Sequence, residues 1–164
     1  MTDDKRHAGD PKRPGDRLCL DFANTVDWRT RDHPHEWLTS YADLVAWCQH
    51  VGTVTEPKAH RLLEEAARCP AVASAVLERA IVLREAIYRV FSTVAGERAP
   101  QAADITTLNS FLSEAMSRLQ LALTAGGFAW SWASDESSLE QMLWPVVRSA
   151  AELLTSSKLN RVGI

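Results

Sequence analysis

Apolar residues recur every three or four positions along most of this chain, the pattern of helices that each bury one face. Ser40 precedes Tyr41, Leu44, Val45, Cys48 and Val51, which predicts a helix over 41–51 closed by Gly52. Thr55 and Pro57 open a second helix, with Leu62, Leu63, Ala66 and Ala67 inside, until Pro70 stops it. From 71 to about 95, Val72, Val76, Ala80, Leu83, Ile87, Val90 or Phe91, and Val94 keep helical period before Gly96 ends the run. A helix of that length is expected to be the central packing element. Asp104 is placed to cap a fourth helix carrying Ile105, Leu108, Phe111, Leu112, Ala115 and Met116, which ends near Arg118. Ser137 with Glu140 reads as a capping box opening a last helix, with Leu139, Met142, Leu143, Val146, Val147, Ala150, Leu153 and Leu154 inward and Pro145 bending it.

Two stretches switch to a period of two. Leu18, Leu20 and Phe22 alternate with Cys19 and Asp21, which predicts a half-buried strand that ends near Asn24, where Asn24 and Asp27 open a turn or helix. Leu119, Leu121 and Leu123 alternate with Gln120, Ala122 and Thr124. Ala125-Gly126-Gly127 interrupts them, and Phe128, Trp130 and Trp132 alternate again. That is a β-hairpin with a glycine turn. The expected fold is therefore mainly α, a multihelical domain with a small antiparallel β-sheet built from the N-terminal strand plus the hairpin. Residues 1–16 are polar and broken by Gly9, Pro11, Pro14 and Gly15, so they read as a flexible tail ahead of one domain over 17–164.

Composition narrows the class. Apolar residues make up 46% and charged residues 24% of the 164 positions, ordinary globular values at a length that supports a core without staples. No apolar run approaches a membrane span and the N-terminus lacks a secretory core, so the expected location is cytoplasmic, with no membrane partner. Cys19, Cys48 and Cys69 are odd in number and widely spaced, which predicts buried thiols rather than disulfides or structural zinc. The net charge of −3 lacks the concentrated positive face that duplex DNA requires.

Candidate chemistry is sparse. Pro34 stiffens the loop around His33 and His35, and with Glu36 these could form an open metal site. A pair of loop histidines is, however, more commonly solvated, and the His-Glu-x-x-His helix is absent. Cys48 and His50 lie two residues apart on a helix and face different ways. No nucleophilic triad order, phosphate-cradling glycine loop or dinucleotide fingerprint occurs. Trp130 and Trp132 share a strand face and could stack a ligand or base, although an aromatic ladder beneath a helix is the commoner use of such rings.

The run Leu20-Asp21-Phe22-Ala23-Asn24-Thr25, with Arg29 behind it, resembles the N-terminal signature of the ABATE domain, found in CGNR zinc-finger proteins proposed to be stress-induced transcription regulators. The segment from Leu143 to Ser156 is similar to the helix that in this family leads into the finger, and the hairpin with Trp130 and Trp132 lies where the family has strands. The resemblance covers the chain from about Gly15 onward and implies that residues 17–164 are one ABATE-like regulatory domain. It also implies a DNA-binding finger beyond Ile164, so zinc and DNA contact are expected there and no cofactor in this segment.

What remains is a sensor half. Asp21, Asn24, Thr25 and Arg29 are expected to line a polar pocket beside the sheet, walled by Trp28, Trp130, Trp132, Trp144 and Arg148, in which a small ligand shifts the last helix. The alternative for the same residues is structural: Asp21, Asn24 and Thr25 as capping groups, and Arg29 or Arg148 pairing with Asp21 as a buried clasp. A homodimer whose paired fingers read two half-sites is a further expectation. The competing function is a small metal-dependent hydrolase using Asp21 with His33 and His35.

Overall fold

A computed structural model describes residues 17–27, 29–133 and 137–161; the expected tail over 1–16 and Trp28 lie outside these. In chain order the elements are α1 (Leu18–Ala23), β1 (Val26–Asp27), β2 (His35–Glu36), α2 (Tyr41–His50), α3 (Glu56–Arg68), α4 (Pro70–Ala95), α5 (Ala102–Met116), β3 (Leu119–Thr124), β4 (Gly127–Trp132) and α6 (Leu143–Leu154), followed by a short 3₁₀ turn over Leu159–Arg161. The fold is mainly α, with two small antiparallel two-stranded sheets.

The long helix α4 is the hub, and it packs against α1, α2, α3, α5 and α6. Its inner stripe buries Ala73, Val76, Ala80, Leu83, Ile87, Val90 and Phe91, whereas Val72 points outward. Ser40 and Asp43 close a capping box at the start of α2, and Gly52, at φ +81°, follows its end in the left-handed conformation. Thr55 occupies the N-cap position of α3 without a side-chain bond, and Leu62 rather than Leu63 carries that helix's inward face.

Four expectations are corrected. The N-terminal strand is instead the short helix α1, which lies between α4 and α6 and buries Leu18, Cys19, Leu20, Phe22 and Ala23. A six-residue helix covered on nearly every side offers no polar stripe to betray its period, and only Asp21 reaches solvent. Its first-turn amide at Cys19 donates to the buried Ser149 hydroxyl on α6 (3.1 Å), which supplies a partner that the helix start lacks internally. The sheet that this strand was to share with the hairpin is accordingly two sheets, β1 with β2 and β3 with β4.

Asp104 does not cap α5, which starts two residues earlier; it sits in the first turn, buried, with its carboxylate on Arg89 of α4 (2.9 and 2.8 Å). The last helix starts at Leu143, not near Ser137. Pro145 therefore lies in its first turn, where the missing amide has no intrahelical acceptor to lose, and gives no reason for a bend. Finally, Trp130 stands exposed on the hairpin instead of beneath a helix.

Candidate functional site

The signature segment ends in a network of charged groups folded into the protein. After α1, the chain turns at Asn24, whose amide returns to the Leu20 carbonyl, and Thr25 donates its hydroxyl to the Phe22 carbonyl (2.8 Å). Thr25 is buried, Asn24 is exposed, and Asp21 lies on the outward face of α1. The carbonyl of Thr25 then accepts from the Trp37 amide, which extends the β1–β2 pairing.

Beneath that ribbon lies Arg84, only 3% exposed although fully charged. Both terminal guanidinium nitrogens meet the Glu36 carboxylate (2.6 and 2.7 Å), Nε donates to Glu85 (2.9 Å), and Nη1 reaches the Thr25 hydroxyl (3.4 Å). A planar fork matched to a carboxylate is the geometry in which a buried charge is best compensated. Burial alone would raise the Glu36 carboxyl. The Arg84 bonds, the Leu38 amide and the nearby Arg29 charge outweigh it and hold Glu36 below the ordinary carboxylate range. The guanidinium of Arg84 is in turn held more firmly protonated, because Glu36 and Glu85 outweigh its burial.

Arg29 completes the cluster by pairing with Glu85 (2.6 Å), donating to the Ala23 carbonyl and laying its guanidinium 4.0 Å from the centre of the Tyr88 ring. Thr25 and Arg29 thus tie the C-terminal end of α1 and the β1–β2 ribbon to the middle of α4. Arg84 and Glu85 are the members that sequence reading missed, and Glu36, offered there as a possible metal ligand, is instead the partner of Arg84. A signal existed, since Arg84 stands one turn from Ala80 within an otherwise apolar stripe, and a charge there needs a buried partner.

The tryptophans gather elsewhere. Trp132, at the end of β4, meets Trp144, in the first turn of α6, with ring centres 5.9 Å apart, and the Arg118 guanidinium lies 5.6 Å from the Trp144 ring. These two rings line a cavity of about 220 Å³ between the start of α3, the base of the hairpin and the start of α6. Lys58, Arg61 and Gln141 line it as well, which sets positive charge beside aromatic faces. Trp130 and Arg148 sit on the hairpin flank, with Arg148 bonded to Glu152 (2.8 Å) and 5.9 Å from the Trp130 ring centre. Of the nine candidate residues, Thr25 and Arg29 lie in the clasp, Trp132 and Trp144 at the cavity, Trp130 and Arg148 on the flank, and Asp21 and Asn24 on the surface, with Trp28 undescribed.

His33 and His35 are exposed, the latter edge-on to the Trp37 ring at 4.5 Å, and the neighbouring Glu36 has both oxygens engaged by Arg84. No three His, Cys, Asp or Glu side chains group into a metal-binding set among the described residues. Burial pushes the Cys19 thiol up to about 11 and the Cys48 thiol up to about 12, the state of inert core cysteines. Cys69, half-buried, is less covered than expected.

Residues 16–157 match the sequence model of the ABATE family, described as "putative stress-induced transcription regulator". The chain belongs to the ABATE family. That description is of a regulator rather than an enzyme. Comparison with curated proteins and with solved structures gives no match. No helix among the described residues of this ABATE chain is long and apolar enough to cross a membrane.

Proposed function

We propose that this ABATE chain is the regulatory part of a transcription regulator, in which a small ligand occupies the cavity beside Trp132 and Trp144 and biases the position of α6. DNA is then read by a zinc finger that follows Ile164. The observation that carries the reading is the location of the cavity, one wall of which is the first turn of α6. A molecule bound there touches the first turn of α6, a separate place from the Arg84 clasp on α4. Regulation needs no more than that difference in affinity between two positions of one helix.

At about 220 Å³ the cavity is smaller than the roughly 300–1,000 Å³ of drug-sized pockets, so its occupant is a compact metabolite. Two tryptophan faces with Lys58 and Arg61 favour a flat or apolar body carrying an anionic group. The zinc that the resemblance implies is assigned to that following finger; among the described residues no three His, Cys, Asp or Glu side chains group together. The charge of −3 likewise supports assigning duplex contact to a different segment.

A thermal-shift screen of small carboxylates and phosphates, aromatic ones included, tests the ligand reading. Stabilisation is expected with at least one class, is lost in the Lys58→Gln, Arg61→Gln double variant, and persists in Asp21→Ala. No ligand-dependent shift from any class would overturn it.

A further inference from the structure

The hairpin presents an apolar face that the domain does not cover. Its register sets Leu119 opposite Trp132, Leu121 opposite Trp130 and Leu123 opposite Phe128, and residues directly opposite on an antiparallel ladder share a face. All six large apolar side chains of the hairpin are thus on one side, and the other side carries Gln120, Ala122, Thr124, Ala129 and Ser131. Of these, only the base pair, Leu119 and Trp132, is half-buried, with Trp132 packed against the core. The remaining four stand in solvent: Leu121 is 64% exposed, Leu123 78%, Phe128 79% and Trp130 62%.

We infer that this face is a homodimer interface, occupied by the same face of a second copy of the chain. Three observations favour a second copy. First, two aromatic rings and two leucines at these exposures leave on the order of 500 Å² of contiguous apolar surface, near the upper limit for a monomer. A dimer of modest to standard size takes roughly 600–800 Å² from each partner, which the patch and its rim supply together.

Secondly, the face itself carries no charge, while its flank holds Arg148 and Glu152 side by side at 2.8 Å, with Arg148 also beside Trp130. Opposite charges adjacent on one rim are self-complementary. A two-fold axis near the Leu121–Trp130 pair lets each copy's Arg148 meet the other's Glu152. Thirdly, a two-stranded hairpin held only at its base is marginal by itself, and packing two such faces together makes the two-layer sandwich that stabilises exposed sheets. The contact lies on the side of α6 reached by Arg148, so pairing would join the last helices of two chains.

Light scattering and sedimentation of the 164-residue chain, from low micromolar to several hundred micromolar, read the oligomeric state directly. The expected result is a dimer that dissociates on dilution. Leu123→Lys with Phe128→Lys is expected to weaken it by about tenfold or more, as the single Leu123→Lys does in part, with an unchanged melting midpoint by circular dichroism at low concentration. Val72→Lys, at an exposed apolar position on α4, is expected to dimerise as the wild type does. A wild-type chain that stays monomeric throughout, a dimer indifferent to the hairpin lysines, or one equally disrupted by Val72→Lys would overturn the assignment. So would a monomer that instead binds phosphatidylcholine vesicles through the hairpin, which would make the face a lipid contact.

Discussion

On α4 a charged side chain, Arg84, is wrapped by Thr25, Glu36 and Glu85, whereas on the hairpin Leu121, Leu123, Phe128 and Trp130 stand mostly in water. Each placement carries a cost. The buried guanidinium is offset within the chain by two carboxylates and a hydroxyl, so that region is complete. The hairpin side chains are offset far less, so that region is where an outside partner gains most. The contrast separates the two meanings of an unusual residue: Thr25 and Arg29 fasten α1 and the β1–β2 ribbon to α4, while the surfaces proposed for a ligand and a partner lie around α6 and the hairpin.

The strongest way to break this comparison is at Arg84. Arg84→Met leaves Glu36 and Glu85 without their shared cation, and removing one partner of a buried pair costs about 3–5 kcal/mol. The lower end is expected because roughly a third of the Glu36 side chain still meets solvent. Urea unfolding should show the loss as a lower midpoint with unchanged slope. Adding Glu36→Gln to Arg84→Met should cost less than the sum of the two single changes, since the second removes the stranded charge. Additive losses would show that the pair is not a unit.

Arg29 is the next test. It is less enclosed than Arg84, but it holds Glu85, the Ala23 carbonyl and the Tyr88 ring together. Arg29→Met is expected to lose about 1–3 kcal/mol, from hydrogen bonds to charged groups, while retaining part of the packing over Tyr88. A loss confined to ligand response, with stability untouched, would move Arg29 from the clasp to a binding role.

Acid sharpens the same picture. Because the folded protein holds Glu36 below its ordinary value, the contribution of its charge is fully present above the unfolded pKa of about 4.3 and is lost as pH falls through the lower folded value. Wild type and Glu36→Gln should therefore differ most near neutrality and converge from about pH 5 downward, as followed by thermal melts. Asp43, lowered by the Thr39 hydroxyl first and then by the Thr39 and Ser40 amides, adds an acid-sensitive contribution at the start of α2 in both proteins, and this cancels in the difference.

How far these regions were legible depended on whether their partners are near in sequence. The helices α2 to α5 and both hairpin strands follow from local period, and Ser40, Gly52 and the 125–127 turn mark boundaries that neighbouring residues determine. The misreadings share a cause. Helix α1 is buried between two elements more than forty residues away, so its six residues needed no polar stripe; Asp104 reached back to Arg89 instead of capping its own helix. The expected pocket joined Thr25 and Arg29 to Trp132 and Trp144, but Thr25 and Arg29 are satisfied by α4, whereas the two tryptophans meet across the base of the hairpin. Arg84 was visible only as a charge in the wrong stripe.

The smallest expected effect sits at the hairpin tip, and it is informative because it is small. Leu123 and Phe128 are large apolar residues whose removal from a core would cost several kcal/mol, yet here each is mostly in water already. Replacing both with threonine, which keeps good strand propensity, should change monomer stability by no more than about 0.5 kcal/mol. The measurement belongs at submicromolar protein, where a second copy contributes nothing, and again at high concentration. If the face is covered by another chain, the wild type gains stability with concentration and the threonine variant does not, because association stabilises only the protein that can associate. Equal, concentration-independent stability of the two proteins would leave the exposed face without a partner of its own kind, and a large loss even in dilute solution would place those side chains in the core and dissolve the contrast between the two regions.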